Sequence, residues 1–476
     1  MLVTGANGYL GGRLIPALLA AGYRVRCMVR DAGRFDAAAF GGVDVVEADA
    51  LRPETLAAAL AGIEVAYYLI HSMAGQADFA EQDRRAAAGF AQAAAAAGVA
   101  RIVYLGGLGH GPDLSPHLRS RQETGEVLRS GAVPVTEFRA GIIVGSGSAS
   151  FEMIRALSER LPFMIAPRWV LTRAQPIAAK DVVRYLVDCL DLPDTAGRTY
   201  EIGGADVMTY RDMMLGYAAA RRLRRVIVVV PVLTPRLSSY WVSLVSPVPA
   251  AIAQPLIEGL RHEAVVRDRS ALDDFAFHPM SYRAALDLAL DRVLSGEVQS
   301  VWAQSASASA LPLQAVQLTG REGMIAEHRT VVVDVPPDRA FALVASLGGR
   351  TGWLYANPLW RLRGLFDRLA GGTGMRRGRR HPTAIRVGDP IDFWRVEAVE
   401  PGHRLLLRAE MKVPGRAWLE FVVSPEGSGT RIAMTALFEP KGVLGRAYWW
   451  SMYPAHRFIF SGMLREAAAR LDRATG

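Results

Sequence analysis

The 476-residue chain contains only two cysteines, Cys27 and Cys189. Each sits in an apolar pattern, which argues against a disulfide framework and for buried thiols in a reducing compartment. No cluster of His, Cys and Asp carries metal-ligand spacing, so metal catalysis has no residues to run it. No uninterrupted apolar run approaches the roughly 20 residues of a membrane-spanning helix. The most apolar stretch, 226–257, is broken by Pro231, Pro235, Pro247, Pro249 and Pro255, which leaves only association at a membrane surface open. Recognition helices, zinc spacings and aromatic-basic ribbons are missing too, which argues against nucleic acid despite a net charge of +9 and a pI near 9.7. That charge is almost wholly arginine, scattered as on a solvated surface. No secretory signal precedes the first apolar strand, although a clipped start stays open, so the expected location is cytoplasmic, with peripheral membrane contact as an alternative.

What is present is a hydrophobic content of 51% over a length that suits two or three domains. Leu2 and Val3 run into Gly5-x-x-Gly8-x-x-Gly11, after which Leu10, Leu14, Ala17 and Leu18 recur at helical spacing. In such a strand-turn-helix unit the first glycine permits the bend, the second admits a pyrophosphate, and the third lets the helix pack close. The N–H groups at the helix start then face the phosphates. Thr4, Gly5, Asn7, Gly8, Tyr9, Leu10 and Gly11 are therefore the candidate cradle of a dinucleotide.

Strand alternation over 24–30 ends on Arg30, which suits the 2′-phosphate of NADP(H) better than the ribose hydroxyls of NAD(H). A plain surface charge at a strand end is the alternative. Further strands over 43–48, 65–70 and 101–105 put Asp49 and Ala50, Ile70 and His71, and Leu105 at the strand ends where ligands gather. Strands alternating with helices imply a doubly wound parallel α/β sheet, a Rossmann fold. The expected dinucleotide domain is 1–304, its substrate lobe mainly 151–300.

These residues resemble the extended and atypical branch of the short-chain dehydrogenase/reductase superfamily, with NmrA-like and complex I accessory-subunit-like members. The resemblance rests on Thr4-Gly5-Ala6-Asn7-Gly8-Tyr9-Leu10-Gly11, Arg30, Asp49 and Pro176-Ile177 before Asp181, and covers about 1–290. More narrowly, the segments 67–73, 104–108 and 114–121 look like a bacterial group of NAD(P)-binding proteins that carries a C-terminal domain of unknown function, DUF2867. Catalytic members of the superfamily place a serine after the fifth strand and Tyr-x-x-x-Lys on the next helix. Here Gly106-Gly107 occupies the serine position, and the pair with the same spacing is His117 and Arg121. Either His117 replaces the tyrosine as a general acid with Arg121 holding ribose or carbonyl, or the pair is a solvated helix start and the domain binds nucleotide without conventional reduction. Arginine stays protonated, so it cannot do a lysine's acid-base work.

The low-complexity run 305–312 opens a linker, 305–315, before a second domain, 316–476. A strand, a helix to Leu347, an irregular Gly/Trp/Arg-rich region, four alternating strands and a long last helix resemble the helix-grip fold of the START-like (SRPBCC) superfamily. That α+β fold implies an apolar cavity under the last helix. Its candidate lining is Trp394, Trp418, Phe421, Trp449, Trp450, Tyr453 and Phe458, with Trp353, Asn357, Trp360 and Arg363 at the mouth. The basic run 374–381 is either an exposed loop or an anion site. Two functions follow: an NADP(H)-dependent reductase of an apolar carbonyl or quinone, or a nucleotide-sensing accessory protein whose second domain holds a hydrophobic ligand. Oligomeric state is not legible.

Overall fold

Short β-branched and aromatic runs, each followed by a helix, build a seven-stranded parallel sheet in the first half of the chain. The computed structural model describes residues 1–32, 35, 37, 40–70, 79–230, 254, 257–295, 324–349, 351–375, 379, 381, 384–427 and 429–473. The chain divides into two compact units, Met1–Ala308 and Ser309–Gly476.

In the first unit β1 (Leu2–Thr4), α1 (Gly11–Ala20), β2 (Arg26–Val29), β3 (Asp44–Glu47), α2 (Leu56–Leu60), β4 (Val65–Tyr68), α3 (Phe79–Ala96), β5 (Arg101–Gly107), α4 (Pro116–Arg129) and β6 (Val135–Ala140) follow one another. The chain then forms β7 (Ile143–Val144), α5 (Ala149–Arg160), β8 (Phe163–Pro167), β9 (Arg173–Ala174), β10 (Ile177–Ala178), α6 (Ala179–Asp188), β11 (Thr199–Ile202), β12 (Met208–Thr209), α7 (Tyr210–Ala220), β13 (Val226–Val230) and α8 (Tyr282–Ser295). Sheet order is β3-β2-β1-β4-β5-β6-β11, every pair parallel. The order reverses between β1 and β4, so the crevice for a ligand opens at the C-terminal end of β1.

Period-two alternation splits the core. Val3, Cys27, Tyr67, Val103 and Phe138 pack with α1 and α6 on one face, and Leu2, Met28, Tyr68 and Tyr104 with α2 and α3 on the other. Burial pushes both thiols, Cys27 and Cys189, up to about 12. Glu137 of β6 is wholly buried and paired with Arg129 and Arg139. Gly106 and Gly125 leave it room: a Cβ would stand 3.0 Å from its Oε1 at Gly106 and 2.8 Å from its carboxylate at Gly125. Strand β6 ends at Ala140, and β7 pairs with β10 in a separate small sheet. Of the apolar stretch 226–257, β13 pairs in parallel with β8, while 231–253 and 255–256 lie outside the described residues.

The second unit runs β14 (Ile325–Val333), α9 (Pro337–Ala345), α10 (Asn357–Leu369), β15 (Pro390–Ile391), β16 (Trp394–Glu400), β17 (Arg404–Ala409), β18 (Gly415–Glu426), β19 (Gly429–Pro440) and α11 (Gly442–Arg473). Its six strands form an antiparallel sheet in the order β14-β19-β18-β17-β16-β15. One sheet face joins α9 and α11 in a single core with Trp353, Trp360, Trp394, Phe421 and Trp449. Helix α10 lies within the region the sequence reads as irregular. Trp360, Gly364 and Asp367 are its buried residues, while its apolar stripe points away from the core. The linker 305–315 lies outside the described residues.

Candidate functional site

The glycine turn is held by its own backbone. Gly5 adopts φ +63°, and a Cβ there would lie 2.8 Å from the Leu69 carbonyl oxygen. The Gly8 N–H donates to the Gly5 carbonyl at 2.8 Å, and a Cβ on Gly11 would stand 2.3 Å from that same oxygen. All three glycines are thus required by close approach, and the turn is a cradle that any side chain would fill. No side chain caps α1, and the Gly12 and Arg13 N–H groups of its first turn donate to the Gly8 and Leu10 carbonyls, both at 3.0 Å, so what α1 offers a phosphate is the positive end of its dipole. These residues fit a dinucleotide pyrophosphate.

The other cradle candidates divide by what they touch. Thr4 is buried and its hydroxyl donates to the Tyr67 carbonyl while accepting from Leu69 N–H, both at 2.9 Å, so it clips β1 to β4. Asn7 and Leu10 lie in the turn itself, Leu10 as the residue before α1. The Tyr9 ring lies under the Arg13 guanidinium, 4.0 Å from its centroid, and its hydroxyl occupies the space a Cβ on Gly145 would need. Arg13 in turn donates to the Ser146 carbonyl at 2.6 Å and to the Tyr9 carbonyl at 3.2 Å. This arginine braces the turn against the segment before α5, a role the sequence reading missed. Its only sequence signal is a charge in the first turn of an otherwise apolar helix.

Arg30 directly follows β2 and is exposed, with Thr4 and Met28 in register on the adjoining strands. Asp49, two residues beyond β3, accepts from Leu51 N–H at 3.1 Å through Oδ1, which shapes its own loop. Ala50 is buried, and Ile70 is half-buried beside the α2–α3 core. His71 lies outside the described residues. Leu105 is buried in β5, and its carbonyl accepts from the Arg121 guanidinium.

At the C-terminal end of β5 glycine stands where the serine was expected. A Cβ on Gly107 would lie 2.9 Å from Leu118 Cδ2 and 3.4 Å from Arg121 Cδ, both movable side-chain atoms. They come from helix α4, capped by Ser115 and opened by Pro116. The same helix presents His117 and Arg121. Burial first, and the Arg121 charge second, hold His117 down at about 4. That shift favours the neutral imidazole at pH 7, which keeps one N–H donor.

A second histidine, also missed, lies in the loop after β5. His110 Nδ1 is 3.5 Å from Glu201 Oε1 of β11, and its Nε2 is 3.1 Å from the Val265 carbonyl oxygen. Nothing local in the sequence joins these positions.

In the second unit Trp394, Phe421 and Trp449 enter the core under α11. Trp418 does not: it packs with Leu406 and Leu437 on the other sheet face. Trp450 and Phe458 are exposed, and Tyr453 is half-buried with its ring 5.7 Å from Trp450. The apolar cavity beneath α11, lined by Leu343, Leu347, Phe421, Ile432 and Met463 among others, measures only about 10 Å³, room for at most one water. Of the basic run, Arg379 and His381 are described, and Arg379 donates to the Leu347 and His381 carbonyls.

Comparison with known proteins agrees with this geometry. A family model described as NAD(P)H-binding matches residues 5–134, and one described as a protein of unknown function, DUF2867, matches 324–463. Over 207 residues the chain is 26% identical to the photosystem II assembly factor Ycf39 of Trieres chinensis, 43% of this chain and 63% of that one. The chain thus spans less than two thirds of that curated relative's length. Triphenylmethane reductase of Citrobacter sp. superposes with a TM-score of 0.50 at 19% identity, covering 61% of this chain and 99% of that one. A nucleoside-diphosphate-sugar epimerase from Staphylococcus aureus gives 0.49 at 17%, covering 60% and 98%. The reductase likeness is one of fold. The first unit is an NAD(P)-binding Rossmann domain, and the second contains a DUF2867 domain with an antiparallel sheet.

Proposed function

We propose that the chain holds NADP(H) in the turn Gly5–Gly11, with Arg30 on the 2′-phosphate, and acts as a nucleotide-responsive binding protein rather than a conventional reductase. The observation that carries this reading is the pairing of an intact cradle with glycine in place of the serine and a His117 whose burial favours the neutral form. The dinucleotide supplies a hydride to a reductase that can position and protonate an acceptor. Here the cradle would still orient the pyrophosphate, but Gly107 has no hydroxyl and His117 is no ready source of a proton when neutral. In this reading residues 1–304 form the nucleotide domain and 316–476 a helix-grip domain joined by the linker 305–315. The long α11 over an antiparallel sheet supports the helix-grip assignment. An apolar ligand there enters only if α11 moves, given the 10 Å³ cavity. Titration of the purified chain with NADPH, followed by nicotinamide fluorescence, tests the first step. A saturable change is expected, and its absence while a known reductase responds defeats the reading.

The Arg121 charge beside neutral His117 favours one second reading. Hydride delivery to a quinone needs no protein acid if the reduced oxygen takes its proton from water, and Arg121 would stabilise the anion formed first. Steady NADPH oxidation with a soluble quinone, retained in His117→Ala and lost in Arg121→Ala, would select this alternative.

A further inference from the structure

Helix α10 carries its apolar pattern outward. Trp360, Gly364 and Asp367 face the core, whereas Leu359, Leu362, Leu365, Phe366 and Leu369 are 41–57% exposed. At 3.6 residues per turn these five side chains fill the sector opposite the core, with Arg363 on one border and Arg361 and Arg368 on the other. A continuous stripe of this size differs from the single exposed leucines of an ordinary surface. The start of α11 lies alongside: Arg363 donates to the Tyr448 hydroxyl at 3.1 Å, and the rings of Tyr355 and Phe458 are 5.3 Å apart. Leu444, Trp450 and Phe458 of α11 are themselves 78%, 62% and 53% exposed.

The charge around these residues has one sign. Asp367 is the only acid in 357–369, and it is buried, accepting from the backbone N–H groups of Gly374 at 2.8 Å and Lys412 at 2.7 Å. The stretch 441–465 has no acid and carries Lys441, Arg446, Arg457 and Arg465. A second copy of the chain on the same face would bring identical arginines together across a twofold axis, which like-charge repulsion opposes. An anionic lipid surface matches both features, because leucine and phenylalanine enter the headgroup boundary while arginine stems reach lipid phosphates.

We propose that α10, with the first turns of α11, docks the second unit on an anionic phospholipid membrane surface. The helix lies in the interface plane. Its 13 residues span about 20 Å, short of the roughly 30 Å hydrocarbon core, and no helix among the described residues is long and apolar enough to cross a membrane. The surface is built without the nucleotide site and stands whether or not the dinucleotide reading does.

Flotation of the full chain with phosphatidylcholine vesicles, with and without phosphatidylserine, tests the proposal. Wild-type protein should float with the anionic vesicles and lose binding at high salt. Leu362→Ser/Phe366→Ser should lower the partition coefficient about tenfold or more, with an unchanged thermal melt because both positions are exposed. Arg361→Ala/Arg368→Ala should lower it about tenfold on anionic vesicles only. Three outcomes overturn the proposal: no flotation with phosphatidylserine vesicles, equal flotation of wild type and the Leu362/Phe366 variant, or a wild-type dimer that this variant converts to monomer without any vesicle binding.

Discussion

Substituting Gly11→Ala tests the cradle at its tightest point. The new Cβ would stand 2.3 Å from the Gly5 carbonyl oxygen and 2.9 Å from its carbon, where ordinary contact begins at 3.4 Å. Both neighbours are backbone, so the turn or the start of α1 has to shift by about 1 Å, because a close-packed interior has no slack of that size. Overpacking of this kind costs about 1–3 kcal/mol of stability. The same shift displaces the turn and the start of α1 from the pyrophosphate, and a lost hydrogen bond to a charged group is worth about 1.5–3 kcal/mol. Affinity for NADPH should therefore fall about 10- to 100-fold. The control is Gly98→Ala, which has φ +71° with nothing within 4 Å of a Cβ. It should lose about 1 kcal/mol through backbone strain and bind nucleotide normally. Fluorescence titration and thermal melts on the three proteins separate the cases. A folded Gly11→Ala protein that binds NADPH as tightly as wild type would refute the reasoning.

Gly107→Ser should not restore reductase activity, because the tyrosine and lysine are replaced as well, and should cost about 1 kcal/mol or less, because its Cβ meets only the movable Leu118 Cδ2 at 2.9 Å; urea melts and NADPH oxidation assays read both. In the second unit Glu410 is wholly buried between Arg395, at 2.7 Å, and Arg408, at 3.8 Å. Glu410→Gln removes the carboxylate that faces Arg395, while Arg408 keeps Glu397 at 3.7 Å, and should cost about 3 kcal/mol in a denaturant titration; an unchanged midpoint would show the pair to be incidental. His117 and His456 are both held at about 4, mainly by burial and then by Arg121 and Arg363 respectively. The folded chain thus binds fewer protons than the unfolded one below the ordinary value of 6.5, so stability is full above pH 6.5 and declines as the pH falls towards 4. His456→Phe should flatten that decline for the second unit, and unfolding at several pH values measures it.

The first unit was legible where the signal is local. The glycine spacing and the strands read over 24–30, 43–48 and 101–105 all rest on neighbours in the chain. Contacts between distant segments were not legible. Arg13 with Ser146 and His110 with Glu201 are brought together only by the closed sheet. The occupied space over Gly107 was equally hidden, since it depends on how closely α4 approaches β5. In the second unit strand parity already separates Trp418 from Phe421, because positions three apart point to opposite faces. Helix α10 escaped notice for a different reason: periodicity shows that a helix has an apolar side, and here that side is turned away from the core.

The central proposal is a nucleotide cradle tuned to NADP(H) beside a position where glycine replaces the usual serine and His117 and Arg121 replace the usual tyrosine and lysine. It is tested most directly by calorimetric titration of wild type and Arg30→Glu with NADPH and NADH. The account predicts tighter binding of NADPH by wild type and loss or inversion of that preference in the variant, with NADH binding retained. Failure of wild type to bind either nucleotide, or a preference unchanged by Arg30→Glu, would contradict it.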